Sequence, residues 1–255
     1  MKFINNYYKI AYFFIQGEFN MNKTITLAGL LFISPIISST ISAEGWEGEG
    51  EFGATFSSGN TENNNLHAKL KVINKQGAWK NEVGLTAINN KDTDTTTSER
   101  YQLTGKTSRD FSEKYYSFAS GRYEKDRFSG YKYQASLAGG LGMHAIKKEK
   151  VTLDIEGGLG YSLNETDAGI ESDEPVLRGG LFYKNQLTDT THFLQNLTVE
   201  SGSDNTYMES ETGVTVKMTD KVGLKASLLV KNNSDVPAGT EKTDSITALS
   251  MTYGF

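Results

Sequence analysis

Acidic and basic residues recur along this chain with a spacing of two. Glu47, Glu49 and Glu51 form one row, Lys69 and Lys71 a second, and Arg100 with Lys106 a third. Arg122 and Glu124, Asp154 and Glu156, Arg178 and Lys184, Glu209 and Glu211, and Lys225 and Lys231 continue the series. Residues two apart share one face of a strand. The acids of one row would then lie beside the bases of the next: Glu47, Glu49 and Glu51 beside Lys69 and Lys71, Asp154 and Glu156 beside Arg178 and Lys184, Glu209 and Glu211 beside Lys225 and Lys231. Opposite charges on neighbouring strands stabilise a sheet by about 0.2–1 kcal/mol each. The same charges lining a pore would set ion preference. Either chemistry requires these side chains to share the inner face of one sheet.

Other chemistries find less support. A hydrolase needs a nucleophile beside a base. The histidines are His67, His144 and His192, and only Ser57 and Ser58 fall near His67. The alternation turns His67 inward, away from the lipid face where a lipid hydrolase would work, so no enzyme is expected. The absence of cysteine removes thiolate and disulfide chemistry. Asp92, Asp94, Glu165, Asp167, Glu171, Asp173 and Glu174 fall in connections, where acids could gather divalent cations, but their spacing matches no calcium loop. No metal and no cofactor are expected. The net charge of −5 and the lack of a basic stripe with interleaved aromatics argue against a nucleic-acid partner.

The elements that must position the charges are strands. From Glu44 onward apolar residues also alternate, in opposite phase to the charges. Leu66, Ala68, Leu70 and Val72 form one run, Tyr133, Ala135, Leu137 and Leu141 another, and Val222, Leu224, Ala226 and Leu228 a later one. About twelve such runs fit the chain, an even number as bacterial barrels have. Near Tyr115, Tyr116 and Phe118 the phase is ambiguous; Ala119, Gly121 and Tyr123 are placed outward. Connections alternate between short turns and longer loops at Asn89–Glu99, Leu163–Pro175 and Asn232–Asp244, and Pro175 and Pro237 are assigned to the loops. Gly140, Gly142, Gly158, Gly160 and Gly180 would face the interior together, either leaving a groove or packing under a neighbouring tyrosine.

Lipid explains the purity of the apolar face, since a lysine or arginine there costs roughly 2–4 kcal/mol at mid-membrane. Aromatics fall in two girdles: Trp46, Trp79, Tyr183, Phe193, Tyr253 and Phe255 at one rim, Phe56, Tyr101, Tyr123, Tyr133 and Tyr161 at the other. The chain ends on Met251, Tyr253 and Phe255 at alternate positions, which resembles the C-terminal signature of outer-membrane barrels that their assembly machinery recognises. The final strand is expected to pair with the first, leaving no open edge. Residues 21–43 carry Lys23, an apolar stretch and a small-residue end at Ser42-Ala43, as a cleaved signal peptide does. Residues 1–20 are expected to be upstream leader, with Met21 as the true start. Residues 44–255 are then an all-β transmembrane antiparallel barrel.

Gly45–Thr61 (GWEGEGEFGATFSSGNT) and Arg122–Gly142 (RYEKDRFSGYKYQASLAGGLG) resemble YdiY-like proteins, a family of unknown function described as salt-induced outer-membrane proteins. The likeness runs over essentially the whole mature chain. It implies an outer-membrane location in a Gram-negative envelope, lipid and lipopolysaccharide as surroundings, and a link to salt. It carries no catalytic residues. Two functions follow as expectations: a narrow porin-like channel, or a closed structural barrel of the envelope under osmotic stress. A soluble periplasmic barrel and a surface receptor or adhesin are the alternatives, and an outer-membrane lipid hydrolase is the remotest.

Overall fold

A computed structural model describes residues 45–58, 63–92, 95–126 and 129–255. The expected leader and signal peptide lie outside these residues. The strands are β1 (Trp46–Ser58), β2 (Asn63–Gln76), β3 (Trp79–Asp92), β4 (Thr95–Asp110), β5 (Tyr115–Asp126), β6 (Tyr131–Lys147), β7 (Val151–Thr166), β8 (Glu171–Gln186), β9 (Thr191–Ser201), β10 (Thr206–Lys217), β11 (Val222–Asn233) and β12 (Thr243–Gly254). Each pairs antiparallel with the next, and β12 returns to β1, so the twelve strands form a closed barrel.

The closing seam runs from Glu49 opposite Gly254 to Ser58 opposite Ser245. Gly48 and Phe255 exchange both backbone hydrogen bonds, at 2.8 and 2.9 Å. The Phe255 ring lies over Gly48, where a Cβ would overlap it. The end of the barrel that holds the Gly48–Phe255 pair is called basal here, and the opposite end distal.

The large apolar side chains are on the outside. Phe52, Leu66, Leu137, Leu159, Leu177 and Met251 are exposed, while Glu51, Glu124, Glu156 and Lys225 are buried. This inverts a soluble barrel, whose apolar face turns inward. The aromatic girdles are present: Trp46, Trp79, Tyr253 and Phe255 are exposed basally, Tyr101, Tyr123 and Tyr161 distally. Tyr123 and Tyr133 stack at 6.1 Å, and Tyr183 meets Phe193 edge-on at 6.0 Å. The side chain of Phe56 lies outside those described.

Two expectations need correction, and one ambiguity resolves. The long connections Asn89–Glu99 and Leu163–Pro175 are mostly strand, because β3, β4, β7 and β8 continue past the last apolar position. Apolar alternation marks only the part of a strand that meets an apolar medium, whereas the backbone ladder continues into water. Pro175 accordingly stands inside β8, opposite Tyr161. The β8–β9 pairing begins at Leu177, so β8 has no neighbour on that side at Pro175 and the missing N–H costs the sheet nothing there. The phase near residue 116 resolves with Tyr116 and Phe118 inward and buried; Ala119, Gly121 and Tyr123 lie outward as expected.

Because Gly48 and Phe255 are a hydrogen-bonded pair, Glu49 and Gly254 are the next, closer non-bonded pair. That spacing suits a disulfide. Glu49→Cys/Gly254→Cys in this cysteine-free chain is expected to cross-link on mild oxidation, shifting the boiled band on a non-reducing gel. An unshifted band from folded protein would mean an open seam.

Candidate functional site: the bridged lumen

Alternation places all of the charged rows on the inner face. Their partners, however, come from across the barrel more than from next door. Glu124 on β5 receives Lys231 from β11, six places round a ring of twelve and so on the opposite wall. It also accepts from Arg100 Nη2 at 3.3 Å and Gln102 Nε2 at 3.0 Å, both on β4. Gln102 Nε2 donates a second time, at 3.2 Å, to Glu209 on β10, again on the opposite wall. Tyr207 donates its hydroxyl to Glu209 at 2.6 Å, and its ring carries the Arg122 guanidinium at 3.8 Å. Arg122 Nη2 then bonds Glu200 at 3.2 Å, which accepts from Ser136 at 2.9 Å.

A second group lies beside the seam. Lys225 is held between Glu51 at 2.6 Å and Glu211 at 2.9 Å. Lys69 of β2 crosses to the same Glu211 at 3.2 Å, and His67 Nε2 stands 3.7 Å from Glu51. A third group surrounds Glu156, which takes Lys106, Arg178 at 2.8 Å and the Tyr116 hydroxyl at 2.8 Å. Lys106 sits 4.5 Å from the Phe182 ring and Arg178 4.9 Å from that of Phe118.

At the basal mouth the interior opens. Lys71 and Lys80 each lie 2.9 Å from Glu82, with lysine side chains 40% and 41% exposed. Glu49 and Lys184 are exposed in the same vestibule, and Glu47 pairs with Lys75 at its lip at 2.8 Å. Asp154 bonds His144 Nδ1 at 2.7 Å, and Asp110 approaches His144 Nε2 at 3.4 Å.

At the distal mouth a loop crosses between opposite walls. Residues 234–242 reach toward the β5–β6 turn, where the Tyr131 hydroxyl donates to Asp235 O at 3.0 Å and Pro237 faces Gly130. Glu174 is not a free loop acid: its carboxylate accepts from Asp204 N at 2.8 Å, Asn205 N at 3.0 Å and Ser203 Oγ at 2.9 Å, fastening the β9–β10 turn. Glu165 is taken by Lys132 at 2.8 Å. The side chains of Asp92 and Asp94 lie outside those described, as do those of Ser57 and Ser58.

The neighbour pairings expected from the sequence hold for Glu156 with Arg178 and Glu211 with Lys225. Lys69, Lys71, Asp154, Glu209 and Lys231 make their closest contacts elsewhere. Register does set Glu49 against Lys71, Glu51 against Lys69 and Glu209 against Lys231. Long side chains in a narrow lumen nevertheless reach whichever wall carries the better partner. The interior glycines leave no groove: Tyr116 covers Gly142, Phe182 covers Gly180, and Gly140 and Gly158 let β6 and β7 approach closely. The aromatic pillars Tyr116, Phe118, Phe182 and Tyr207 were missed, although each shares parity with the charges on its strand. The outer face was expected to be free of charge, and Arg109 breaks that rule at the basal rim. Gln195, Ser210 and Thr212 also face outward and bond one another.

A family model described as a protein of unknown function, DUF481, matches residues 50–255. The chain belongs to that family. It is also 28% identical, over 211 residues and 82% of each chain, to the uncharacterized protein YdiY of Escherichia coli (strain K12), which bears out the resemblance drawn from Gly45–Thr61 and Arg122–Gly142. Among solved structures, the NanC porin is similar with a TM-score of 0.55 at 12% identity, over 80% of this chain and 98% of that one. An outer membrane channel from Pseudomonas putida F1 is similar with a TM-score of 0.50 at 10% identity, over 83% and 95%. These likenesses extend to the barrel fold.

Removing one member of a buried charge pair typically costs roughly 3–5 kcal/mol, because the other is stranded. Glu124→Gln strands Lys231 and Arg100 and is expected to destabilise the refolded barrel by about that amount in denaturant titrations. Adding Lys231→Met is expected to give a total below the sum of the singles, by roughly 0.5–3 kcal/mol. Strict additivity would mean that the two walls do not meet.

Proposed function

We propose that this protein is an outer-membrane barrel sealed along its axis, serving as a structural element of a Gram-negative envelope rather than as an open pore. The observation that carries this reading is the pair of contacts between opposite walls, Lys231 to Glu124 and Gln102 to Glu209. Small barrels tend to be filled by side chains, and here the filling is charged, bonded and braced by aromatic rings. The outward apolar belt supports a membrane setting, since exposed apolar surface on this scale would drive a soluble barrel to associate. The salt link implied by the family resemblance belongs to the proposal: a barrel that leaks no ions suits an envelope under osmotic load.

The C-terminal strand ending on Met251, Tyr253 and Phe255 supports recognition by barrel-assembly machinery, with lipid and lipopolysaccharide as the surrounding partners. No reaction is assigned, because His67 faces Glu51 and His144 faces two aspartates. A receptor or adhesin role draws little from distal turns that are mostly short.

A narrow channel is the second reading. The basal vestibule favours it, since Lys71, Lys80, Lys184 and Glu49 stand in water there and would meet an entering ion. Planar-bilayer recording of refolded, heat-modifiable protein separates the two. Wild type is expected to be silent, and Glu124→Ala/Lys231→Ala is expected to give discrete, salt-scaled steps. Such steps from wild type would establish the channel reading instead.

A further inference from the structure

We infer that the basal rim formed by β3, β4 and the β4–β5 turn is a binding site for the phosphate headgroup of an anionic phospholipid. The site rests on the proposed membrane-spanning reading and adds to it a specific lipid preference at one edge.

Arg109 is the outward charge in question. It is opposite Trp79 in the β3–β4 register, and its guanidinium lies 5.5 Å from the exposed Trp79 ring. Four residues of turn follow β4, and there Lys114 stands 5.7 Å from the ring of exposed Tyr115. Phe111, 60% exposed, stacks on Tyr115 at 6.5 Å with 12° between planes. Three aromatic rings and two cations thus share one corner of the girdle. Among the described residues, neither Arg109 nor Lys114 joins an ion pair.

The nearest acid in sequence to Arg109 is diverted. Asp110 has the inward parity and lies against His144. Glu113 stays exposed at the tip of the turn and keeps the corner from being uniformly basic. The next basal turn is tied to this one by His144 N donating to Lys114 O at 2.8 Å, and it brings exposed Lys147 and Lys148 alongside, with Glu149 between them and Lys150.

Rings at this level sit among headgroups. A guanidinium stacked on such a ring keeps its N–H edge free and offers the fork geometry that fits phosphate oxygens two at a time. A basic residue at a membrane surface attracts anionic lipid by roughly fivefold. The distal outward positions beyond the tyrosines are mainly acidic, with Glu99, Glu165, Glu171 and Asp173 against Lys125, so the preference belongs to the basal leaflet.

The chain has two tryptophans, and Trp46→Phe leaves Trp79 as the sole reporter at the site. The protein is refolded into phosphatidylcholine vesicles containing phosphatidylglycerol, with bromine on the chains of one lipid or the other. Brominated phosphatidylglycerol is expected to quench Trp79 as though enriched roughly fivefold over phosphatidylcholine. Arg109→Gln/Lys114→Gln is expected to abolish the enrichment, and Lys114→Arg alone to keep it. Equal quenching by both lipids in wild type, or enrichment that survives the double glutamine variant, would overturn the site. Absence of quenching by either lipid would instead overturn the membrane-spanning reading.

Discussion

A closed antiparallel ladder of twelve strands leaves a lumen so narrow that side chains of opposite walls meet. Every charge turned inward must then find a partner or remain stranded in a poorly solvated space. That constraint organises the interior. Glu124, Glu51, Glu211 and Glu156 each collect two or more donors, and the donors come from strands far apart in sequence. The bridges also serve the fold, since they hold together walls that the backbone ladder connects only the long way round.

Aromatic rings complete this arrangement. Lysines and arginines in the lumen cannot satisfy all their donors with carboxylates alone, and Tyr207, Phe118 and Phe182 supply ring faces for Arg122, Arg178 and Lys106. Glycines make room. Gly142 lies under Tyr116 across the β5–β6 pair and Gly180 under Phe182 two residues along β8, so two of the bulky pillars are matched to positions without a side chain. Outside, the division of labour reverses: aliphatic residues fill the belt, and rings mark its edges.

Much of this was legible in the sequence. Alternation gave the twelve strands, the inward charges and the outward apolar belt, because period two directly reports a sheet between unlike surroundings. The final Phe255 gave the seam. What alternation could not give was partner choice. Glu209 and Lys231 are register neighbours, yet Lys231 reaches Glu124 instead, since the flexible stem of a lysine spans a lumen as easily as it spans two strands. Strand ends were misjudged at Asn89–Glu99 and Leu163–Pro175 because the apolar pattern fades there while the backbone hydrogen bonding continues. Glu174 read as a loop acid for the same reason, when it fastens a turn.

The sealed lumen is tested most directly by thiol access. The chain has no cysteine of its own, so single replacements report cleanly in detergent, where both mouths meet the reagent. Ser136 and Ser250 are buried on the inner face, and Glu49 stands exposed in the basal vestibule. With a charged, water-soluble thiol reagent, Glu49→Cys should label in the folded barrel, while Ser136→Cys and Ser250→Cys should label only after unfolding. Labelling of the two serine replacements at the rate of Glu49→Cys would contradict a lumen closed by contacts between its walls.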